Sequence, residues 1–223
     1  MKVGILGTRG IPNHYGGFEQ FAQYLSKGLT ERGCEVSVYN SHNHPYKKAE
    51  WEGVQIIHKY DPEKHMGLSG QFIYDFNCIK DSRKRNFDIL LQLGYTTNSI
   101  WSFMLPRKPV KICNPDGMEW KRAKYPAPVK KFLKYAEKLA VKSNDLLIAD
   151  SRVIKDYYIE KYGKNTIFAA YPAILFDKPD SNVLKKFDLK PYKYHMLIAR
   201  MQADNNIETI LAGYNKSGRK EPL

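Results

Sequence analysis

Short apolar runs alternate with amphipathic segments along most of the chain. An apolar run bounded by turn residues predicts a buried strand, whereas apolar residues that recur at helical spacing predict a helix. The first helix shows this spacing at its apolar positions: Phe18, Phe21, Ala22, Leu25 and Leu29. The predicted strands cover residues 3–6, 35–39, 54–60, 87–93, 110–113, 145–149 and 165–169. The predicted helices begin near residue 18 and cover residues 71–84, 98–105, 128–142 and 151–162.

The order of these elements indicates the fold class. Strands and helices that alternate with short connections predict an α/β fold with a doubly wound parallel sheet, in which the loops at the strand ends form one ligand-binding rim. We therefore predict a Rossmann-like domain over residues 1–171. Residues 172–193 are rich in Pro, Asp and Lys and predict an interdomain connection. Residues 194–223 predict a truncated second Rossmann-like domain, with a strand over 194–199 and a helix over 206–214.

A glycine-rich loop joins the first strand to the first helix and contains Gly7, Gly10, Gly16 and Gly17. Glycines let backbone N–H groups approach a phosphate, and the positive end of the helix dipole favours the same anion. A tight turn without a ligand is the alternative. The spacing differs from Gly-x-Gly-x-x-Gly, and Asn40 stands where a dinucleotide-binding protein places an acidic residue. These differences argue against a nicotinamide oxidoreductase.

A second polar loop, residues 114–122, leaves a predicted strand at the same rim. Carboxylates such as Asp116 and Glu119 can bind sugar hydroxyls or take a proton, and Trp120 can stack on the apolar face of a sugar. The alternative is an Asx-type turn held by Asp116, with Trp120 in the core. The loop is therefore a candidate binding and catalytic site.

The charge balance suggests anionic partners. The chain has 36 Lys and Arg against 23 Asp and Glu, a formal net charge of +13. It has no Cys/His finger, RNP-like strand or helix-turn-helix pattern, so we do not expect nucleic acid as a partner. Residues 121–142 hold eight Lys and Arg and one acid, Glu137. A solvated face and a face directed at an anionic membrane are both open for its helical lysines: Lys130, Lys131, Lys134, Lys138 and Lys142.

Other features bear on compartment and metals. No run of eighteen apolar residues occurs, so we expect neither a signal peptide nor a spanning helix. Cys34, Cys78 and Cys113 are widely spaced and odd in number, which favours reduced thiols in a cytoplasmic protein, with peripheral contact at the inner face of the membrane left open. His42 and His44 lie in a polar loop without nearby acidic or cysteine partners, so we expect no metal site.

Two motifs near the amino terminus resemble a known signature. Gly-Thr-Arg-Gly-Ile-Pro (7–12) and Tyr-Gly-Gly-Phe-Glu (15–19) look like the start of GT-B glycosyltransferases of family 4, in particular a rhamnosyltransferase-like subgroup. Three later stretches agree with it: 114–122, 149–151, and 199–201 with 206–208. The resemblance implies transfer of a sugar, with rhamnose as a candidate, from a nucleotide-sugar to a saccharide or lipid-linked acceptor in cell-surface polysaccharide synthesis. It implies no metal and no other cofactor.

The resemblance also implies roles for individual residues. The donor and phosphate contacts are Gly16, Gly17, Glu19 and Arg200. The acceptor contacts are Arg9, His14, Tyr15, Trp120 and Arg122. The catalytic positions are Asp116 and Glu119, which would position substrates, since a family that retains the anomeric configuration does not strictly require a base.

The chain departs from the family pattern in its last segment. Asn205 stands where the family has a lysine, and the paired glutamates that hold the donor have no counterpart before Leu223. We therefore expect this chain alone to be a fragment with little or no transferase activity. A non-catalytic sugar-binding or membrane-binding module that lacks the donor half is the alternative.

Overall fold

The computed structural model describes residues 1–173, 175, 177–199, 201 and 205–223. Two compact units are present. The sheet unit comprises Met1–Lys121 and Ala127–Pro172, and the tail unit comprises Arg122–Pro126 and Ala173–Leu223. None of the described helices is long and apolar enough to cross a membrane.

The sheet unit is built on eight strands, which confirms the predicted fold class. They are β1 Lys2–Leu6, β2 Glu35–Ser41, β3 Glu50–Trp51, β4 Val54–Lys59, β5 Ile89–Leu93, β6 Val110–Asn114, β7 Leu146–Ala149 and β8 Thr166–Phe168. Their order is β3-β4-β2-β1-β5-β6-β7-β8. Every pairing is parallel except that of β3 with β4. The two-residue β3 is too short to leave a pattern in the sequence.

Helices cover both faces of this sheet. They are α1 Gly17–Thr30, the single-turn α2 Glu63–Met66, α3 Gly70–Ser82, α4 Ala127–Ser143 and α5 Arg152–Tyr162. Short 3-10 helices cover Gly67–Ser69, Ser99–Met104 and Glu119–Lys121. On one face, α1 packs Phe21 and Ala22 on strand residues such as Ile5. Leu6 and Cys113 point to the other face, where α3, α4 and α5 pack. The predicted helix at 98–105 is thus a 3-10 helix.

The tail unit contains α6 Asn182–Lys185 and α7 Ile207–Lys216. The predicted helix at 206–214 is therefore present. Among the described residues of this unit no strand forms at 194–199, so the predicted strand there is wrong. An apolar run becomes a strand only when a neighbouring strand takes its backbone hydrogen bonds. Here the backbone N–H of His195 donates to the carbonyl of Pro222, which belongs to no strand.

The core departs from the sequence pattern most clearly at Glu137 on α4. This residue is the one acid in the lysine-rich segment, yet its side chain is fully buried. Its carboxylate accepts hydrogen bonds from Trp120 Nε1 at 2.8 Å, Tyr157 Oη at 2.7 Å, Tyr162 Oη at 2.6 Å and Lys161 Nζ at 3.1 Å. Four donors from two other elements offset the cost of burying the charge. The solvent-facing side of α4 is consequently left without its only carboxylate.

The buried carboxyl group of Asp75 on α3 leads to a prediction about pH. Thr97 donates a hydrogen bond to it, but burial raises the pKa of Asp75 to about 7 from an ordinary value of 3.8. Between about pH 4 and pH 7, the folded state therefore holds a proton that the unfolded chain releases. The contribution of Asp75 to the free energy of unfolding falls as pH rises through this range and is constant above it. We expect Asp75→Asn to remove that decline. Denaturant unfolding of the wild type and the variant between about pH 4 and pH 7 measures this difference. Parallel curves of stability against pH would contradict the raised pKa of Asp75.

Candidate functional site

The candidate site lies where the carboxyl ends of the central strands meet. From β1 the chain crosses to β2 on one side, whereas β5, on the other side of β1, is followed by β6 further out. The direction in which successive strands are added to the sheet therefore reverses between β1 and β5. Open α/β sheets bind ligands in the crevice at such a switch point.

The amino terminus of α1 faces this crevice without a capping side chain. Gly16 is the N-cap, in an extended conformation, and makes no side-chain cap hydrogen bond. A Cβ built on Gly17 would lie 3.4 Å from the ring of Tyr171, which is an ordinary contact. Neither backbone conformation nor packing thus requires glycine at position 17. First-turn N–H groups without a cap, beside the positive end of the dipole, can bind an anion.

Gly7 contrasts with Gly17. Its φ is +90°, and a Cβ there would lie 2.1 Å from the carbonyl oxygen of Leu93 on β5. Glycine at position 7 is therefore required by the close approach of two strands. Asn40 also has a structural role. Its side-chain amide makes two hydrogen bonds with the backbone of Ile11. This pairing holds the glycine loop on β2.

Glu19 joins the same loop to α1. Its side chain is buried, and Oε1 accepts the backbone N–H of Arg9 at 2.9 Å. A Cβ on Gly16 would lie 3.3 Å from Glu19 Oε2, so the carboxylate also borders the N-cap. The structure thus assigns Glu19 to holding the loop, and its contact with a donor stays a prediction.

The loop after β6 begins with an Asx turn. Asn114 Oδ1 accepts the backbone N–H of Asp116 at 3.0 Å. Asn114 therefore supplies the side-chain acceptor of this turn, whereas the alternative interpretation of the sequence assigned that part to Asp116. The backbone of Asp116 is left-handed, with φ of 61°. Glu119 opens the 3-10 helix that follows. Asp116 and Glu119 stay predicted catalytic positions.

Tyr171 completes this rim and was missed by the sequence analysis. Its ring packs on Phe18 and Phe21 of α1, with ring centroids 6.4 Å and 5.4 Å away. Burial, and then the carboxylates of Asp116 and Asp150, raise the pKa of the phenol. The loops after β6 and β7 therefore converge on α1 around this side chain. A tyrosine at the end of the alternating pattern carries no periodic signal that could have identified it.

Polar atoms near the switch point lack partners among the described residues. They are Thr8 Oγ1, which follows β1, and Asn98 Oδ1 and Ser99 Oγ, which follow β5. Buried polar groups in folded proteins nearly always have a hydrogen-bond partner. The two loops that flank the switch point thus retain unused hydrogen-bonding capacity.

Three of the predicted acceptor contacts share one cavity. Arg9, His14 and Tyr15 line a space of about 290 Å³ at the loops that follow β1, β2 and β4. Its other lining residues are Ser41, Asn43, His44, Asp61, Glu63 and Lys64. The structure therefore brings together residues that the resemblance alone had grouped.

Arg9, one of the two cations that line this cavity, is already paired. Arg9 Nε donates to Glu63 Oε2 at 2.9 Å, and the guanidinium lies 4.0 Å from the centre of the Tyr15 ring. Burial alone would lower the pKa of Arg9, but the Glu63 pair outweighs it and raises that pKa. Tyr15 itself is 55% exposed. The cavity thus offers an open aromatic face and carboxylate oxygens, with the Arg9 charge neutralised.

The histidines of the loop after β2 make hydrogen bonds with backbone groups. His44 is buried, and burial together with the neighbouring His14 lowers its pKa. The ring nitrogens of His44 contact Pro12 O at 3.1 Å and Tyr46 N at 3.1 Å. His42 Nδ1 accepts the backbone N–H of Asp61. Both histidines thus have backbone hydrogen-bond partners. Among the described residues, no cluster of three or more His, Cys, Asp or Glu side chains has a geometry that suits a metal ion.

Trp120 occupies a different environment from the cavity. Besides its hydrogen bond to Glu137, its ring lies 4.5 Å from Lys134 Nζ and 5.3 Å from Lys161 Nζ. These contacts anchor the loop after β6 on α4 and α5, and sugar stacking by Trp120 stays a prediction. Arg122 belongs to the tail unit. Arg200 lies outside the described residues.

Most of the lysines predicted to face a membrane are exposed on the outer side of α4, and their contact with a membrane stays a prediction. Lys131, Lys134, Lys138 and Lys142 are exposed, and Lys130 is half-buried. Val129 is 36% exposed and lies in the first turn of the helix. The three cysteines are free, as predicted, although Cys34 is only partly buried.

Comparison with known proteins shows the same architecture elsewhere. Residues 1–173 match the family model described as "Domain of unknown function (DUF1972)". No curated protein matches the chain. The sucrose-phosphate synthase of Thermosynechococcus elongatus is similar in structure, with a TM-score of 0.73 and 14% identity, over 99% of this chain and 60% of that one.

A second similar structure is UGT2 of Phytolacca americana complexed with UDP-2fluoro-glucose and pterostilbene. Its TM-score is 0.53 at 11% identity, over 85% of this chain and 57% of that one. The apo form of the same protein gives a TM-score of 0.51 at 10% identity, over 85% and 55%. At these identities the likeness shows a shared Rossmann-like fold. The chain spans about 60% or less of the length of these proteins.

Proposed function

The chain belongs to the family described as "Domain of unknown function (DUF1972)", and we propose that it is the acceptor-side part of a nucleotide-sugar-dependent glycosyltransferase. One observation carries the proposal most directly. The uncapped amino terminus of α1 adjoins, along a single loop, a cavity large enough for a sugar ring. The first feature suits a phosphate, and the second suits a saccharide.

On the donor side, we propose that a nucleoside diphosphate sugar places its diphosphate at Gly16 and Gly17. Breaking the bond between the anomeric carbon and the diphosphate leaves extra negative charge on the phosphate oxygens. Preorganised N–H groups and a helix dipole stabilise such charge without reorganisation. UGT2, which has a similar fold, is complexed with UDP-2fluoro-glucose. We propose a reaction without a metal or other cofactor.

On the acceptor side, we propose that a saccharide, free or lipid-linked, lies in the cavity. The exposed ring of Tyr15 offers a stacking surface, and the carboxylates of Asp61 and Glu63 accept hydrogen bonds from hydroxyl groups. Asp116 and Glu119 position the acceptor hydroxyl, whose oxygen bonds to the anomeric carbon while its proton passes to a phosphate oxygen of the departing diphosphate. Rhamnose transfer in cell-surface polysaccharide synthesis is the finer proposal, supported by the resemblance of residues 7–12 and 15–19.

The acceptor cavity is tested by Tyr15→Ser in the protein encoded by the whole gene. Because the ring is exposed, we expect a stable fold and a KM for the saccharide acceptor about tenfold higher, with kcat changed far less. Tyr60→Ser, which removes a ring of similar exposure outside the cavity, is the control. UDP-, GDP- and dTDP-sugars are tested as donors, and the amount of nucleotide released measures the transfer. Nucleotide-sugar binding without any turnover would favour a non-catalytic sugar-binding module instead.

A further inference from the structure

The outer side of α4 carries positive charge that no carboxylate balances. Lys131, Lys138 and Lys142 are exposed, and among the described residues they form no ion pair and no hydrogen bond. Lys134 is exposed as well and rests over the Trp120 ring. The helix's only acid, Glu137, points into the core. The surface is therefore more positive than its sequence suggests.

Large aromatic side chains are exposed on α4 and on the 3-10 helix that packs against it. Tyr135, on the outer side of α4, is 57% exposed. Phe103 is 76% exposed on the 3-10 helix Ser99–Met104, which packs against α4. Arg107 and Lys108, just beyond that helix, add two exposed cations. Together, lysines 131, 134, 138 and 142 with Tyr135 and Phe103 form what we call the α4 surface.

We propose that the α4 surface docks on a bilayer containing anionic phospholipid. Lysines near an anionic leaflet are attracted by its surface potential, and aromatic side chains settle at the level of the head groups. Residues 131, 134, 138 and 142 recur at three- and four-residue intervals, so they lie along one side of the helix. A row of ammonium groups along one side of a helix is complementary to an extended anionic plane. The proposal does not depend on the glycosyltransferase assignment.

The composition of this surface favours a bilayer over a nucleic acid. Its central charges are lysine ammonium groups, which act as point charges, whereas phosphate recognition in nucleic acids often uses the paired donors of arginine. The phenyl ring of Phe103 has no polar group. Its burial among lipid head groups and upper acyl chains would therefore be favourable, because it removes apolar surface from water. Binding to RNA or DNA is an outcome that the test must therefore measure separately.

The experiment compares two double variants of equal charge. Lys131→Gln/Lys138→Gln removes two lysines of the α4 surface that are one heptad apart and make no other described contact. Arg32→Gln/Lys48→Gln removes two exposed cations elsewhere, at the end of α1 and in the loop before the edge strand β3. Co-sedimentation is measured with vesicles of phosphatidylcholine alone and with vesicles that also contain phosphatidylglycerol. Thermal unfolding checks that each variant is folded.

We expect binding only to the vesicles with phosphatidylglycerol, and release at high salt. At about fivefold per lysine, the α4 double variant should partition about 25-fold more weakly, and the control variant should be affected much less. Phe103→Ser/Tyr135→Ser keeps the charge and should also weaken binding. The proposal is overturned by absence of binding to anionic vesicles, by equal losses in both charge variants, or by binding that follows single-stranded RNA or duplex DNA and not lipid.

Discussion

Replacing Gly17 with aspartate is expected to weaken donor binding by about 1,000-fold while leaving the fold intact. The fold should tolerate the change, because a Cβ at Gly17 meets only the Tyr171 ring at an ordinary distance and a carboxylate in the first turn favours the helix dipole. The new carboxylate would stand where we place the diphosphate. Two unit charges about 4 Å apart repel by roughly 4 kcal/mol at an effective dielectric of 20.

The matched control is Gly17→Asn, which adds nearly the same volume without charge. Calorimetric titration with UDP, GDP, dTDP and their sugar conjugates would be made on the wild type and both variants. If the two variants bind equally well, charge at this position does not matter, and the diphosphate does not lie at the amino terminus of α1. Equal unfolding midpoints for the three proteins would show that the difference arises from binding.

The second large effect is expected on stability, from Glu137→Ala. The variant removes a carboxylate that accepts four hydrogen bonds, and it leaves the Trp120 indole and two phenols without their acceptor. It also leaves the Lys161 ammonium without its carboxylate, the pairing that helps raise the pKa of that lysine. Breaking a buried charged pair costs about 3 to 5 kcal/mol of unfolding free energy. Urea unfolding monitored by tryptophan fluorescence measures the loss.

Glu160→Ala, at an exposed position of α5, is the comparison for removing a glutamate without a network. It should change the free energy of unfolding by less than about 0.5 kcal/mol. A similar small change for Glu137→Ala would mean that the network does not stabilise the fold. Glu137→Gln retains the shape of the side chain, so its loss of unfolding free energy should lie between those of Glu160→Ala and Glu137→Ala. Since Trp120 anchors the loop after β6, we also expect the Glu137→Ala variant to loosen Asp116 and Glu119.

The local pattern of the chain was enough for the sheet and most helices. Strands such as 35–39 and 110–113 are short segments rich in Val, Ile and Tyr, in which polar residues stand between the apolar ones. An apolar stripe at helical spacing marks α1, because burial selects these periodicities directly. Elements without such a stripe were missed or wrong. The two-residue β3 and the single-turn α2 are too short to show a period. The run at 194–199 has strand composition but forms no strand among the described residues.

The candidate site divides in the same way. The sequence by itself determined the glycine loop, the polar loop after β6 and the row of lysines on α4, because each is a contiguous stretch or one helical period. Only the tertiary structure decided which residues meet: that Gly7 is needed for strand contact while Gly17 is not, that Tyr171 lies over α1, and that Glu137 turns into the core. These outcomes depend on distances between residues far apart in the chain, and a one-dimensional pattern carries no information about those distances.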